Sequence, residues 1–303
     1  MATVKSWIKA ARLRTLPLAL SGIIIGSGVA ALYHVFSGLV CVLAVLTATA
    51  LQVLSNFAND YGDFRKGTDN DARLGPTRTM QGGEITVKEM KQGIGLAILI
   101  SFLFGMALII ASQISWQAVL IFIGLGLCCV LAAYYYTAGE KSYGYVGLGD
   151  VSVFVFFGLV AVSALYYLYA HYFNVQTLLP AISVGCFATG VLNLNNMRDR
   201  QNDMQSGKIT VASRLGASGA KFYHLILILV GWIAILLFAA FNFTSYRAYL
   251  FILAAPFFIK DLVQIFQTED EANLDPFLKK LSLATLLFSV LFTIGVVFEL
   301  SNC

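Results

Sequence analysis

Long apolar runs alternate with short polar links along this chain, and their spacing predicts nine membrane helices. The runs lie near 17–33, 39–58, 93–111, 116–136, 151–170, 178–196, 222–241, 248–266 and 281–300. Each approaches about 20 residues, the length that crosses the hydrocarbon core of a bilayer as a helix. Hydrophobicity does not alternate with a period of two inside them, which argues against strands of a membrane barrel. Helices satisfy their own backbone groups in lipid. The expected fold is all-α: one transmembrane domain over 1–303, with its helices around a central cavity.

The links fall into two kinds. Those after the first, third, fifth and seventh helices are short and carry one basic residue, Arg247. The other 19 of the 20 Lys and Arg lie at the N-terminus, in the remaining links, or in the helix ends beside them. Positive charge marks the cytoplasmic side. The N-terminus is therefore expected inside, the C-terminus at Cys303 outside, and the chain in the cytoplasmic (inner) membrane as a multi-pass protein. The first apolar run follows Lys5, Lys9, Arg12 and Arg14 without a clear small-residue cleavage site, and reads as a retained helix.

Composition agrees. The chain is 58% hydrophobic and 12% charged, about half the charge of a soluble domain. Its net charge of +4 follows from the inside bias and does not point to nucleic acid. The five cysteines show neither metal nor disulfide spacing. No protein partner is implied; the lipid bilayer is.

Acidic residues change the picture. None precedes Asp60; then Asp60, Asp63, Asp69 and Asp71 crowd the end of the second helix, and Asp199 and Asp203 mark the end of the sixth. Both helices run toward the cytoplasm, so both clusters reach the same membrane face. In a continuing helix Asn56, Asp60 and Asp63 share one side, as do Asn195, Asp199 and Asp203. Two ladders of hard oxygen ligands suit Mg²⁺, which binds through one or two carboxylates plus substrate phosphates. Arg65, Lys66, Arg78, Arg198 and Lys208 are interleaved. Metal ions with Arg and Lys neutralise charge as a diphosphate departs. A divalent-cation transporter is the rival reading. It predicts acids near the bilayer midplane on broken helices, whereas these stand at helix ends beside cations.

The ladders resemble the paired Asp-rich motifs of the UbiA superfamily of intramembrane prenyltransferases, a nine-helix family. The likeness rests on Asn59-Asp60-Tyr61-Gly62-Asp63, Lys66-Gly67-Thr68-Asp69 and Gly75-Pro76-Thr77-Arg78. It continues in Tyr135-Tyr136-Thr137, Gly144-Tyr145, Gly147-Leu148-Gly149-Asp150, Asn195-Asn196-Met197-Arg198-Asp199 and Arg214-Leu215-Gly216. Within the superfamily these segments are most similar to the branch that prenylates 1,4-dihydroxy-2-naphthoate in menaquinone biosynthesis; the sister branch uses 4-hydroxybenzoate. Departures from the wider pattern are Gly67 in place of a third Asp, Thr79 in place of Pro, and Asp150 where the branch usually has Glu.

The resemblance implies a Mg²⁺-dependent aromatic prenyltransferase acting on a polyprenyl diphosphate and an aromatic acid. It implies Asp60, Asp63, Asp199 and Asp203 as metal ligands, with Asn56 and Asn195 supporting them and Asn59 and Asn196 among the substrate-binding residues. Arg78 and Lys208 would hold the diphosphate, with Lys141 and Arg198 as further cations. Asp69 lies in a covering loop, Tyr136 would face the allylic cation or the acceptor, and Asp150 would have an acceptor-side or a structural role.

Overall fold

A computed structural model describes residues 2–70, 74–140 and 142–301. Lys141 and Cys303 lie outside the described residues, so their expected roles acquire no geometry here. Among the described residues nine helices are long and apolar enough to cross a membrane, and no strand forms beyond a single bridge between Val146 and Ile209.

A short helix, α1 (Val4–Ala11), leads into α2 (Leu16–Leu32). Then come α3 (Gly38–Lys66), α4 (Val87–Ala111), α5 (Trp116–Tyr135), α6 (Gly149–Ala170) and α7 (Leu178–Arg198). A six-residue helix α8 (Arg200–Gln205) precedes α9 (Val211–Asn242), α10 (Tyr246–Gln267) and α11 (Asp275–Leu300). The helix α1 is amphipathic and was not expected from the hydropathy, since its eight residues are too few and too polar to span.

Local chemistry sets several ends. Thr86 and Glu89 form a reciprocal capping box that starts α4 six residues before the apolar run at 93. Gly67, at φ 71°, closes α3, because only a residue without Cβ takes the left-handed conformation freely. Carrying α3 through Lys66 puts Asn56, Asp60 and Asp63 on one continuous helix.

Leu120, Ile121 and Leu127 of α5 are exposed, as are Leu229 and Ile233 of α9 and Phe257 and Ile259 of α10. This outer apolar surface is what a lipid-facing protein presents. The interior is built on α7, where Ala181, Val184, Phe187 and Ala188 are buried. Phe187 packs on Phe258 of α10 and Phe288 of α11 at ring-centroid distances of 4.7 and 5.4 Å. Small residues let backbones meet, as membrane helices require. A Cβ on Gly158 of α6 would stand 2.5 Å from the Ala181 carbonyl oxygen and 2.8 Å from the Gly185 Cα of α7. Gly158→Ala is therefore expected to destabilise the protein by about 1–3 kcal/mol. A lower midpoint of thermal unfolding in detergent measures this; an unchanged midpoint contradicts the close contact.

Candidate active site

The first ladder stands at the C-terminal end of α3. Asp60 is 1% exposed. Its carboxylate pairs with the Arg12 guanidinium, accepts a hydrogen bond from Thr79 Oγ1 at 3.0 Å, and has Arg78 Nε at 3.8 Å. Arg78 Nε is also 3.9 Å from Asp69, so this cation sits between the ladder and the loop that follows it. Asp63 accepts from the Tyr145 hydroxyl at 2.8 Å, and that hydroxyl shares a further 2.5 Å contact with Thr68 Oγ1. Asn56 points elsewhere. Its Nδ2 donates to the Ala11 carbonyl at 2.9 Å and to Thr15 Oγ1 at 3.0 Å, while its Oδ1 accepts from Gln52. Asn59 Oδ1 accepts from Thr137 Oγ1 at 3.2 Å, tying α3 to the end of α5.

The second ladder is not one straight helix. Asp199 is the joint between α7 and α8, yet Asp199 N–H bonds the Asn195 carbonyl at 3.1 Å and Asp203 N–H bonds the Asp199 carbonyl at 2.8 Å. The four-residue register survives the break. Arg198 is buried and committed: Nε and one terminal nitrogen reach the two Asp199 oxygens at 2.9 and 2.6 Å. Its remaining donors bind Asn195 Oδ1, at 2.9 Å, and Asp275 of α11. A guanidinium so saturated acts as a clamp between α7 and α11. Asp203 pairs with Lys208 at 3.1 Å. Burial pushes the Asp203 carboxyl up to about 6, with Asp199 and Asp63 adding to the rise against the pull of Lys208. Burial works to lower the Lys208 ammonium, but Asp203, Asp63 and Asp199 together raise it, so it stays charged. Acids from both ladders thus act on one lysine.

The two ladders are held together by the links. Asn202 Nδ2 donates to the Thr68 carbonyl at 3.1 Å, and Ile209 N–H to the Tyr145 carbonyl at 3.0 Å. Tyr145 carries Lys66 over its ring at 4.0 Å and has Lys208 5.8 Å from its centroid. Burial first, then Asp63, holds its hydroxyl above the usual range, so it remains a donor. Tyr145, Arg12 and Thr79 were not among the expected site residues. One Tyr among 14 carries no sequence signal of its own, and Arg12 reads as one more inside charge.

A cavity of about 830 Å³ opens from this polar end into the bundle. Arg12, Asp63, Arg78, Asn195, Asn196 and Lys208 line its mouth. Leu18 and Ile23 of α2, Leu108 and Ile109 of α4, and Phe156, Phe157 and Leu168 of α6 line its depth. Asp60 and Asp203 stand one layer back, behind Arg12 and Lys208. Tyr136 is in the wall, edge-on to Tyr143 at 5.4 Å. Burial, then Asp150, raises its hydroxyl, which leaves a neutral ring facing the cavity. Asp150 is buried at the start of α6 and does not border the cavity.

Among the described residues no three His, Cys, Asp or Glu side chains converge into a closed metal cage. Mg²⁺ needs none, since it keeps waters and shares substrate phosphate oxygens. Four carboxylates, buried at Asp60, Asp199 and Asp203 and half-buried at Asp63, each now balanced by a protein cation or a phenol, have the donor chemistry for it. The site joins hard oxygens and cations at a polar mouth to a greasy interior, which fits a diphosphate on a long apolar chain.

Comparison with known proteins agrees with that arrangement. The model of the UbiA prenyltransferase family matches residues 19–295. The chain is 45% identical over 294 residues to a 1,4-dihydroxy-2-naphthoate octaprenyltransferase of Haemophilus influenzae, covering 96% of each. It is 40% identical over 292 residues to the Escherichia coli protein of the same name, covering 96% of this chain and 95% of that one. Its fold is similar to a UbiA homolog from Archaeoglobus fulgidus bound to DMAPP and Mg²⁺, with a TM-score of 0.63 at 15% identity, covering 96% of this chain and 99% of that one. An apo UbiA homolog from Aeropyrum pernix gives 0.66 at 14% identity, covering 99% and 100%. The chain belongs to the UbiA prenyltransferase family.

Proposed function

We propose that this protein transfers a polyprenyl group from its diphosphate to 1,4-dihydroxy-2-naphthoate, releasing diphosphate and CO₂ and giving demethylmenaquinol. The observation that carries the acceptor is identity of 45% and 40% to naphthoate octaprenyltransferases over nearly the whole chain. The cavity supports the class: a polar, acid-rich mouth for the diphosphate and about 830 Å³ of largely apolar space for the chain.

Asp60, Asp63, Asp199 and Asp203 would hold Mg²⁺, which when bound offsets charge on the departing diphosphate. Lys208 and Arg78, which already lie against the ladder acids, hold the diphosphate oxygens. Tyr145 fixes the orientation of Asp63. The neutral ring of Tyr136 faces the electron-poor allylic carbon. The apolar walls exclude water, which would otherwise capture that carbon. The allylic C–O bond breaks with its electron pair going to diphosphate, and the ring carbon bearing the carboxylate forms the new C–C bond. The pair of the C–CO₂ bond then returns to the ring as CO₂ leaves, so no side chain need remove a ring proton. This suits a site with no histidine in its wall. Purified protein given Mg²⁺, a polyprenyl diphosphate and a panel of aromatic acids is expected to turn over the naphthoate. Turnover of 4-hydroxybenzoate alone would move the chain to the sister branch.

The chain is a multi-pass membrane protein. The bias of basic residues supports a cytoplasmic N-terminus and placement of the active site on the cytoplasmic face. With native cysteines replaced by Ser, Tyr246→Cys is expected to react with an impermeant thiol reagent on intact cells and Gln205→Cys to be protected. The reverse pattern would invert the topology.

A further inference from the structure

Arg12 has features that the metal and diphosphate chemistry does not use. It caps α1 in the left-handed conformation, at φ 48° and ψ 58°, where residues with a Cβ are uncommon. Its guanidinium borders the main cavity. Among the described residues Asp60 is its one side-chain partner, reached through one terminal nitrogen. Its Nε–H is buried with no acceptor among the described residues. A buried charged donor left unsatisfied is costly, and the residue that carries it borders the cavity.

The strained turn that presents it is braced from two sides. Asn56, a ladder residue, spends its amide on the Ala11 carbonyl at 2.9 Å and Thr15 Oγ1 at 3.0 Å. Thr15 returns to the Arg12 carbonyl through its N–H at 2.8 Å and its Oγ1 at 3.0 Å. Residues 11–15 are thus pinned to α3, and a rotamer-rich side chain is pre-organised. Arg14, Lys279 and Lys280 also border the cavity; the two cations beside the ladders are differently placed. Arg78 lies between Asp60 and Asp69, and Lys208 lies on Asp203. Both belong with the ladders and hence with the diphosphate. Arg12 projects from the turn ahead of α2, whose Leu18, Ala19 and Ile23 continue the wall as an apolar surface for a flat ring.

We propose that Arg12 is the receptor for the acceptor's carboxylate, its planar fork binding the two oxygens and setting the ring in the cavity, with Asn56 as its positioning residue. This rests on the reading of the acceptor as an aromatic acid. It predicts discrimination between an acid and the same ring without the carboxylate.

The test is binding by titration calorimetry in detergent, with 1-hydroxy-2-naphthoate, 1-naphthol and inorganic diphosphate plus Mg²⁺ as probes. The wild type is expected to favour the acid over the naphthol by about 10- to 100-fold, the range of a charge-assisted contact. In Arg12→Gln that preference should fall to within about threefold. Arg12→Lys keeps a cation against Asp60, and therefore the fold, but loses the fork; its preference should fall about tenfold. Undiminished preference in Arg12→Lys, no preference in the wild type, or a loss that falls on diphosphate instead would overturn the proposal. A wild type that prefers the acid yet turns over only another aromatic acid would remove the naphthoate reading and leave the receptor in place.

Discussion

Asp199→Asn is expected to lower kcat/KM by about a thousandfold or more while leaving the protein folded. Metal-assisted neutralisation of a leaving diphosphate supplies several kcal/mol, and each 1.36 kcal/mol is about tenfold in rate. The substitution keeps volume and one of the two oxygens that accept from Arg198, and removes the charge. Arg198 retains Asn195 and Asp275, so its guanidinium is not stranded. Asp60→Asn should cost as much in rate, but it also leaves the Arg12 guanidinium buried without its carboxylate, and breaking such a pair costs about 3–5 kcal/mol. Its melting temperature should therefore fall, and pairing it with Arg12→Gln should restore part of that loss. Excess chelator should silence the wild type, with recovery on adding Mg²⁺. Activity of Asp199→Asn near wild type, or turnover in chelator, would take the ladders out of the mechanism.

The nine spans were legible because a run of about 20 apolar residues has few alternatives. Their ends were less so. The end of α3 was expected near 58 and falls at Lys66, because Asp60 and Asp63 depress the hydropathy while the helix goes on inside protein. The helix α1 precedes the first long apolar run and escaped a reading built on such runs. Both Asp ladders stood out from their abrupt appearance and repeated spacing. The same spacing overstated the likeness of their asparagines: Asn56 braces the turn at 11–15, whereas Asn195 supports Arg198. Arg12 and Tyr145 become visible as site residues only in three dimensions. Arg12 lies 48 positions from its Asp60 partner and Tyr145 lies 82 from Asp63.

The fate of the acceptor's carboxyl carbon tests the central claim most directly. The naphthoate route places the new bond on the carbon that bears the carboxylate, so aromaticity returns only when that group leaves. Purified protein would be incubated with Mg²⁺, a polyprenyl diphosphate and 1,4-dihydroxy-2-naphthoate labelled in the carboxyl carbon. Labelled CO₂ is expected to appear in step with the prenylated naphthoquinol, one for one. A prenylated product that keeps the label would contradict the account.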